Sequence, residues 1–274
     1  MAAKDPLSLV NLAMSLFGAS GYESLINRMV LAKALYAFVT FMWMLFMPAP
    51  YGRYSKPSYG FGVNVKVAWC LQEIPALLVP LYLIVFSKDS NFFWQSNANA
   101  ILIGLFMLHY FHRSLIFPFL IRGGKATPLS PFLAAVAFCL FNGFMQGFYF
   151  VNYCKYEDYW LSDMRFVLGL FLFFSGLIIN IHSDHVLRNL RKPGETSYKI
   201  PNKGLFRYVT GANYFGEILE WSGFAIASWS PTAAVFALFA ALFLGQRSLH
   251  HHKYYLEKFE DYPKDRNIVI PFVL

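Results

Sequence analysis

Residues 163–184 read DMRFVLGLFLFFSGLIINIHSD, and no charge interrupts the run from Phe166 to Ile179. A helix needs roughly 20 mostly apolar residues to cross a bilayer, so this stretch predicts a membrane span. It ends on polar residues, Asn180, His182 and Asp184. Five further stretches read the same way, at about 29–48, 67–87, 97–121, 129–153 and 209–228. A seventh, 231–249, follows Pro231 and carries no charge until Arg247. Composition agrees. Of 274 residues, 57% are hydrophobic, 19% aromatic and 14% charged, against about 25% charged in an ordinary soluble domain. One soluble core of this size cannot hide so much apolar surface, because area shrinks too slowly with mass. Cys70, Cys139 and Cys154 match neither a metal spacing nor a disulfide framework. The predicted fold is an all-α integral membrane protein with seven transmembrane helices. An extra short, amphipathic N-terminal helix within 6–18 is expected to lie along the interface. No repeat or linker divides the chain, so it reads as one membrane-embedded domain: an N-terminal extension (1–28), a seven-helix bundle (29–249) and a C-terminal tail (250–274).

The net charge of +8 raises nucleic acid as a partner. No basic helix or stripe stands apart from the apolar runs, and the charge reads instead as an orientation signal. With seven spans, the loops 49–66, 122–128, 185–208 and 247–274 share one face and hold sixteen of the 23 Lys and Arg residues. The other face holds Lys4, Arg28, Lys88, Lys155 and Arg165, while Lys33 and Arg113 fall within spans. This asymmetry predicts a cytoplasmic C-terminus and an extracytoplasmic N-terminus, in a bacterial inner membrane or the endoplasmic reticulum. An obligate protein partner is not called for, and the chain is read as a monomer.

Polar groups inside spans are costly and are functional candidates by default. The second span carries Trp69, Gln72 and Glu73 in AWCLQEIP, and the third carries His109, Tyr110, His112 and Arg113 in LHYFHR. The fourth carries Asn142 and Gln146, whose plainest role, like that of Gln72, is hydrogen bonding between helices. Gly143 and Gly147 form a G-x-x-x-G pattern that suits close helix packing. The sixth opens GANYFGEILEW, with Asn213, Glu217 and Glu220. Asn180 and Asp184 are four residues apart, as are Asn213 and Glu217, so each pair shares a helix face. Charge a turn inside a span is costly to desolvate, and a neutral Glu73 carboxyl would donate a hydrogen bond to a carbonyl oxygen. The alternative for Glu73 is an ion pair with Arg113 or another base. H-x-x-H at His109/His112 and His182/His185, with the run His250–His252, admits a membrane di-iron oxygenase or desaturase as a rival. Adjacent residues of a helical run point about 100° apart, which argues against all three histidines of that run sharing a metal, and no metal site is assigned. Rossmann and P-loop fingerprints and the G-x-S-x-G elbow are absent from the sequence.

Taken together, AWCLQEIP, LHYFHR, INIHSDHVLRNLRKPGETSYKIP, GANYFGEILEW and HHHKYYLEKFEDYPKDRNIVIPF resemble the steroid 5α-reductases, the 3-oxo-5α-steroid 4-dehydrogenases. The resemblance runs from about residue 49 to Leu274 in the same order, and KPGE and FEDYPK are long, specific segments. It implies an NADPH-dependent membrane enzyme that reduces the Δ4 double bond of a 3-oxosteroid entering from lipid, with hydride delivered to C5. By position it makes Glu73 and Tyr110 the catalytic pair on the C3 carbonyl, and Trp69 and Trp221 walls of the steroid pocket. It makes Arg113, Asn180, Asp184, Arg191, Tyr198, Asn213, Glu217, His251 and Tyr255 the NADPH-binding set. Two departures stand out. After the third span the chain reads Arg122-Gly123-Gly124-Lys125 where R-G-R is expected, and Ala126 and Ala134 stand where larger residues are expected. Besides the oxygenase, a non-catalytic sterol-binding or transport protein is the competing reading.

Overall fold

The computed structural model describes residues 9–87, 91–190 and 199–273. Nine α-helices run through these residues: α1 (Leu9–Leu16), α2 (Tyr22–Phe46), α3 (Val65–Phe86), α4 (Asn97–Phe111), α5 (Phe117–Leu120), α6 (Leu129–Phe148), α7 (Met164–Arg188), α8 (Ala212–Ser228) and α9 (Pro231–Lys258). Their starts follow from local chemistry. Asn64 accepts hydrogen bonds from the Lys66 and Val67 amides, Asp163 from Arg165, and Ser230 from Ala233, and each occupies the N-cap position favoured by short polar side chains. Between α4 and α5 the chain stays helical but widens. Residues His112–Ile116 form a π turn in which the Phe117 amide reaches the His112 carbonyl, five residues back. A second π turn, Tyr149–Tyr153, extends α6.

Six helical stretches are long and apolar enough to cross a membrane: Tyr22–Phe46, Val65–Phe86, Asn97–Leu120, Leu129–Tyr153, Met164–Arg188 and Pro231–Lys258. With the family identified below, they make this a multi-pass membrane protein. α8 has 17 residues, about 25 Å at 1.5 Å per residue, and falls short of the rest. The helices also overrun the expected ends. α2 begins at Tyr22 rather than near 29, because the Arg28 guanidinium is satisfied locally by the Phe17 carbonyl at 2.6 Å. α9 continues past Arg247 and the histidine run to Lys258, since nothing there breaks a helix. Large apolar side chains such as Leu31, Phe46 and Phe171 point outward, as lipid-facing residues do.

Small residues set the packing. α7 lies along α8 through Gly169, Gly176, Gly216 and Gly223, and a Cβ on Gly223 would stand 2.4 Å from the Phe173 nitrogen. Gly143 and Gly147 bring α6 close to Ala76 and Pro80 of α3, where a Cβ would stand 2.9 and 3.0 Å from their Cα atoms, so the G-x-x-x-G pattern serves packing within the chain. Gly223→Ala should therefore lower thermal stability in detergent by about 1–3 kcal/mol through overpacking. Gly245→Ala, where a Cβ meets nothing within 4 Å, should leave the melting curve in place. Equal curves for the two variants would remove the seam from the account of stability.

The loops assigned to one face on charge grounds meet at one end of the bundle. Gly62–Val63 (β1) pairs antiparallel with Thr127–Pro128 (β2), Arg122 donates to Asn189, and Arg53 donates to the Tyr255 hydroxyl. Asn267 exchanges backbone hydrogen bonds with Tyr208 and Thr210, tying the tail to the segment before α8.

Candidate active site

The bundle encloses a cavity of about 830 Å3, within the 300–1,000 Å3 typical of small-molecule sites. Trp69, Glu73, Tyr110, Arg113, Asp184, Asn213, Glu217 and Trp221 all line it. Glu73 and Tyr110 come from α3 and α4. The Glu73 carboxylate accepts a hydrogen bond from Gln72 Nε2 at 3.0 Å, and Cys139 Sγ donates to its other oxygen at 3.6 Å. Among the described residues Glu73 makes no ion pair, because Arg113 is otherwise engaged. Gln72 thus serves its sequence neighbour rather than another helix. Gln146 does bridge helices: it donates to the Thr232 carbonyl at 2.9 Å and accepts from the Thr232 hydroxyl at 3.1 Å. Asn142 also bridges, donating to the Tyr110 hydroxyl at 3.3 Å.

Arg113 sits on the π turn and is the electrostatic centre of the site. Nη1 donates to Asp184 Oδ2 at 2.8 Å and Nη2 to Glu217 Oε2 at 2.9 Å, with all three side chains at most 16% exposed. Its guanidinium also lies 5.4 Å from the Trp69 ring centroid and 4.7 Å from that of Phe117. Asn180 stands behind this triad, donating to the Asn213 carbonyl at 2.9 Å and to Glu217 at 3.4 Å. Asn213 in turn donates to Asp184 at 3.4 Å. The two same-face pairs read from spacing therefore interlock across the glycine seam.

His251 and Tyr255 do not reach the cavity wall. The His251 ring lies between Tyr54 and Tyr214, with its two nitrogens 3.3 and 3.2 Å from their hydroxyls. Tyr255 accepts from Arg53 and stacks on Tyr262. Arg191 and Tyr198 lie outside the described residues. Gly123 and Gly124 hold φ of +69° and +105°, left-handed backbone that favours glycine, so an arginine at 124 would be strained here. Ala134 lines the cavity, and Ala126 packs where a Cβ on Gly62 would come within 2.7 Å.

Several cavity residues had no role assigned from sequence. Arg247, counted there only as an orientation charge, is 6% exposed and lines the cavity. It donates to the Tyr214 hydroxyl at 3.0 Å and lies 3.9 Å from the Tyr51 ring centroid. Burial pushes the Tyr51 and Tyr54 phenols up to about 12, so both remain neutral hydrogen-bonding groups at physiological pH. His109 pairs through Nδ1 with Glu220 at 2.8 Å and packs, tilted by 57°, against Trp221, 4.5 Å between centroids. Arg247 and His109 showed in the sequence as polar groups within spans, whereas Tyr51 and Tyr54 lie in a loop, and the partners of all four lie more than 30 residues away. Among the described residues, no three His, Cys, Asp or Glu side chains come together as a metal-ligand group.

A multi-pass helical membrane protein with a deep cavity, buried carboxyls, a phenol and a bridged guanidinium has the build of a membrane-embedded enzyme. Residues 125–274 match the 3-oxo-5-alpha-steroid 4-dehydrogenase family. The chain is 52% identical over 223 residues to 3-oxo-5-alpha-steroid 4-dehydrogenase 1 of Macaca fascicularis, covering 81% of this chain and 84% of the relative. It is 48% identical over 250 residues to the Bos taurus protein of the same name, covering 91% and 97%. With 3-oxo-5-alpha-steroid 4-dehydrogenase 2 of Homo sapiens it shares 48% identity over 229 residues, covering 82% and 88%. The chain belongs to the 3-oxo-5-alpha-steroid 4-dehydrogenase family and is an oxidoreductase.

Proposed function

We propose that this enzyme reduces the Δ4 double bond of 3-oxo-Δ4-steroids to 5α-reduced 3-oxosteroids, using NADPH. The observation that carries this reading is the meeting of Glu73 and Tyr110 in one cavity, neither of them tied up in an ion pair among the described residues. An isolated alkene accepts hydride poorly, whereas conjugation to a ketone moves the incoming charge to oxygen. Donors aimed at that oxygen stabilise the enolate. Tyr110 donates through its phenol, and Glu73 donates in its protonated form. Trp69 and Trp221 supply flat apolar walls for the steroid, which enters from lipid.

The donor set suits a dinucleotide phosphate. Arg122, Arg188 and Arg247 line the cavity, and among the described residues Arg247 Nη1 is buried without a hydrogen-bond partner. Arg113, Asp184, Asn213 and Glu217, with Asn180 behind them, would hold the nicotinamide end. Arg191, Tyr198, His251 and Tyr255 belong to the phosphate and adenine side, the last two by supporting Tyr54, Tyr214 and Arg53. When bound, NADPH supplies the reducing equivalent; the protein supplies position, polarity and a dry cavity.

The test is purified protein with NADPH and testosterone, read as loss of enone absorbance and identification of the 5α product. Steroid binding without turnover would favour the carrier, and oxygen-dependent turnover with stoichiometric iron would favour the oxygenase. Arg191→Ala should raise the KM for NADPH several-fold with a smaller change in kcat, because a phosphate contact acts in ground and transition states alike. An unchanged KM would return Arg191 to the role of an orientation charge.

In the membrane we read α8 as a seventh pass, short but locked to α7, and α1 as an interfacial helix. The basic end, where loops 49–66, 122–128 and 199–211 meet the C-terminal tail, then faces the cytoplasm. A reporter fused after Leu274 should be cytoplasmic and one at the N-terminus should not. Both reporters on one side would overturn the seven-pass reading.

A further inference from the structure

Lys33 is a basic side chain within a span that the proposed chemistry leaves idle. It sits midway along α2, is 0% exposed, and makes no ion pair among the described residues. Such a charge is costly in a membrane protein and calls for a use. The ammonium is caged by aromatic rings: Nζ lies 3.4 Å from the Phe138 centroid, 5.2 Å from Phe239 and 5.3 Å from Phe236. Those three phenylalanines also line the cavity, so Lys33 stands directly behind its wall. Its hydrogen bond goes to Asn142 Oδ1 at 3.4 Å, and Asn142 Nδ2 donates to the Tyr110 hydroxyl at 3.3 Å.

We propose that Lys33 is a positioning residue for Tyr110, acting through Asn142 to keep the phenolic proton directed into the cavity. Nζ donates in this bond, so it fixes which end of the Asn142 amide faces it: the oxygen. The NH2 group is then the only end left for Tyr110. The phenol oxygen accepts from it, and its single O–H is free for a substrate carbonyl. Without that donor the amide is free to turn over, and its oxygen would then draw the phenolic proton away from the substrate. The chain of donors from amine to amide to phenol also polarises in one direction, strengthening the last bond.

This inference rests on the carbonyl role given to Tyr110, and a mutant cycle separates the two. Parent, Lys33→Met, Tyr110→Phe and the double variant are assayed with testosterone and NADPH, each normalised to its folded fraction. Lys33→Met, which fills the same channel with an apolar chain, should lower kcat on the order of tenfold, with steroid KM near the parent value. In the Tyr110→Phe background the same change should have no further effect. Parental kcat in Lys33→Met, or an equal further loss in the double variant, would overturn the proposal. Parental kcat in Tyr110→Phe alone would instead overturn the carbonyl assignment on which it stands. Should Lys33→Met not fold, Asn142→Asp carries the test, since its carboxylate offers Tyr110 only acceptors. It should lose at least as much kcat, and parental turnover there overturns the proposal.

Discussion

Glu73→Leu should lower kcat for testosterone reduction by on the order of 10²–10³, the loss typical of removing one donor from a developing oxyanion. Glu73→Gln should retain part of the activity, because an amide N–H still donates. Tyr110→Phe should reduce kcat with a smaller effect on steroid KM, since the phenol is called on mainly in the transition state. The contacts of Glu73 make the opposite outcome equally legible. Its carboxylate takes hydrogen bonds from Gln72 and Cys139, so a purely structural Glu73 predicts reduced folded yield for both variants. The surviving protein would then turn over normally. Folded Glu73→Leu enzyme with parental specific activity would end the carbonyl assignment and leave the cofactor half of the site standing.

Arg113→Met should be the most damaging single change to stability. The guanidinium neutralises Asp184 and Glu217 at 2.8 and 2.9 Å in a buried setting. Removing it leaves two carboxylates facing each other out of water, a loss of about 3–5 kcal/mol where one partner of a buried pair is deleted. Thermal unfolding in detergent should show a much lower midpoint, and the KM for NADPH should rise in whatever fraction folds. Arg113→Lys keeps the charge but replaces a planar two-armed donor by a point charge. It should recover part of the stability and little of the cofactor affinity. A parental melting midpoint in Arg113→Met would show that the carboxylates find another partner.

What the sequence conveyed, and what it did not, follows from the range of each interaction. Six of the seven expected spans were legible because lipid imposes length and apolarity on every crossing helix, although their ends were not. Arg28 and Arg247 were read as boundaries, and both are satisfied inside helices by the Phe17 carbonyl and by Tyr214. The pairs Asn180/Asp184 and Asn213/Glu217 were legible because four residues is one helical turn. That they interlock depends on Gly176 and Gly216, which let α7 and α8 approach almost to backbone contact. The likeness of LHYFHR and NIHSDH to family motifs pointed to Tyr110, Arg113 and Asp184 without showing how they meet. The aromatic cage of Lys33, the His109–Glu220 pair and the cavity role of Arg247 showed in the sequence only as polar groups within spans. Their partners come from distant helices, and only the packed bundle selects them.

The π turn at His112–Ile116 has a consequence for counting residues. A helix crossing by regular turns would use one residue fewer over this stretch, so the third apolar segment holds a supernumerary position just where Arg113 leaves for Asp184 and Glu217. Deleting any one residue between 112 and 116 would give a chain that still crosses, with hydropathy unchanged to the eye. Its two halves would keep their phase, since a regular helix needs one residue fewer, and the change would fall on the turn itself. Arg113 would then lose the wider turn from which it reaches Asp184 and Glu217. For anyone aligning relatives, a one-residue gap here is not a neutral length difference; it separates sequences that carry the wide turn beneath this triad from those that do not.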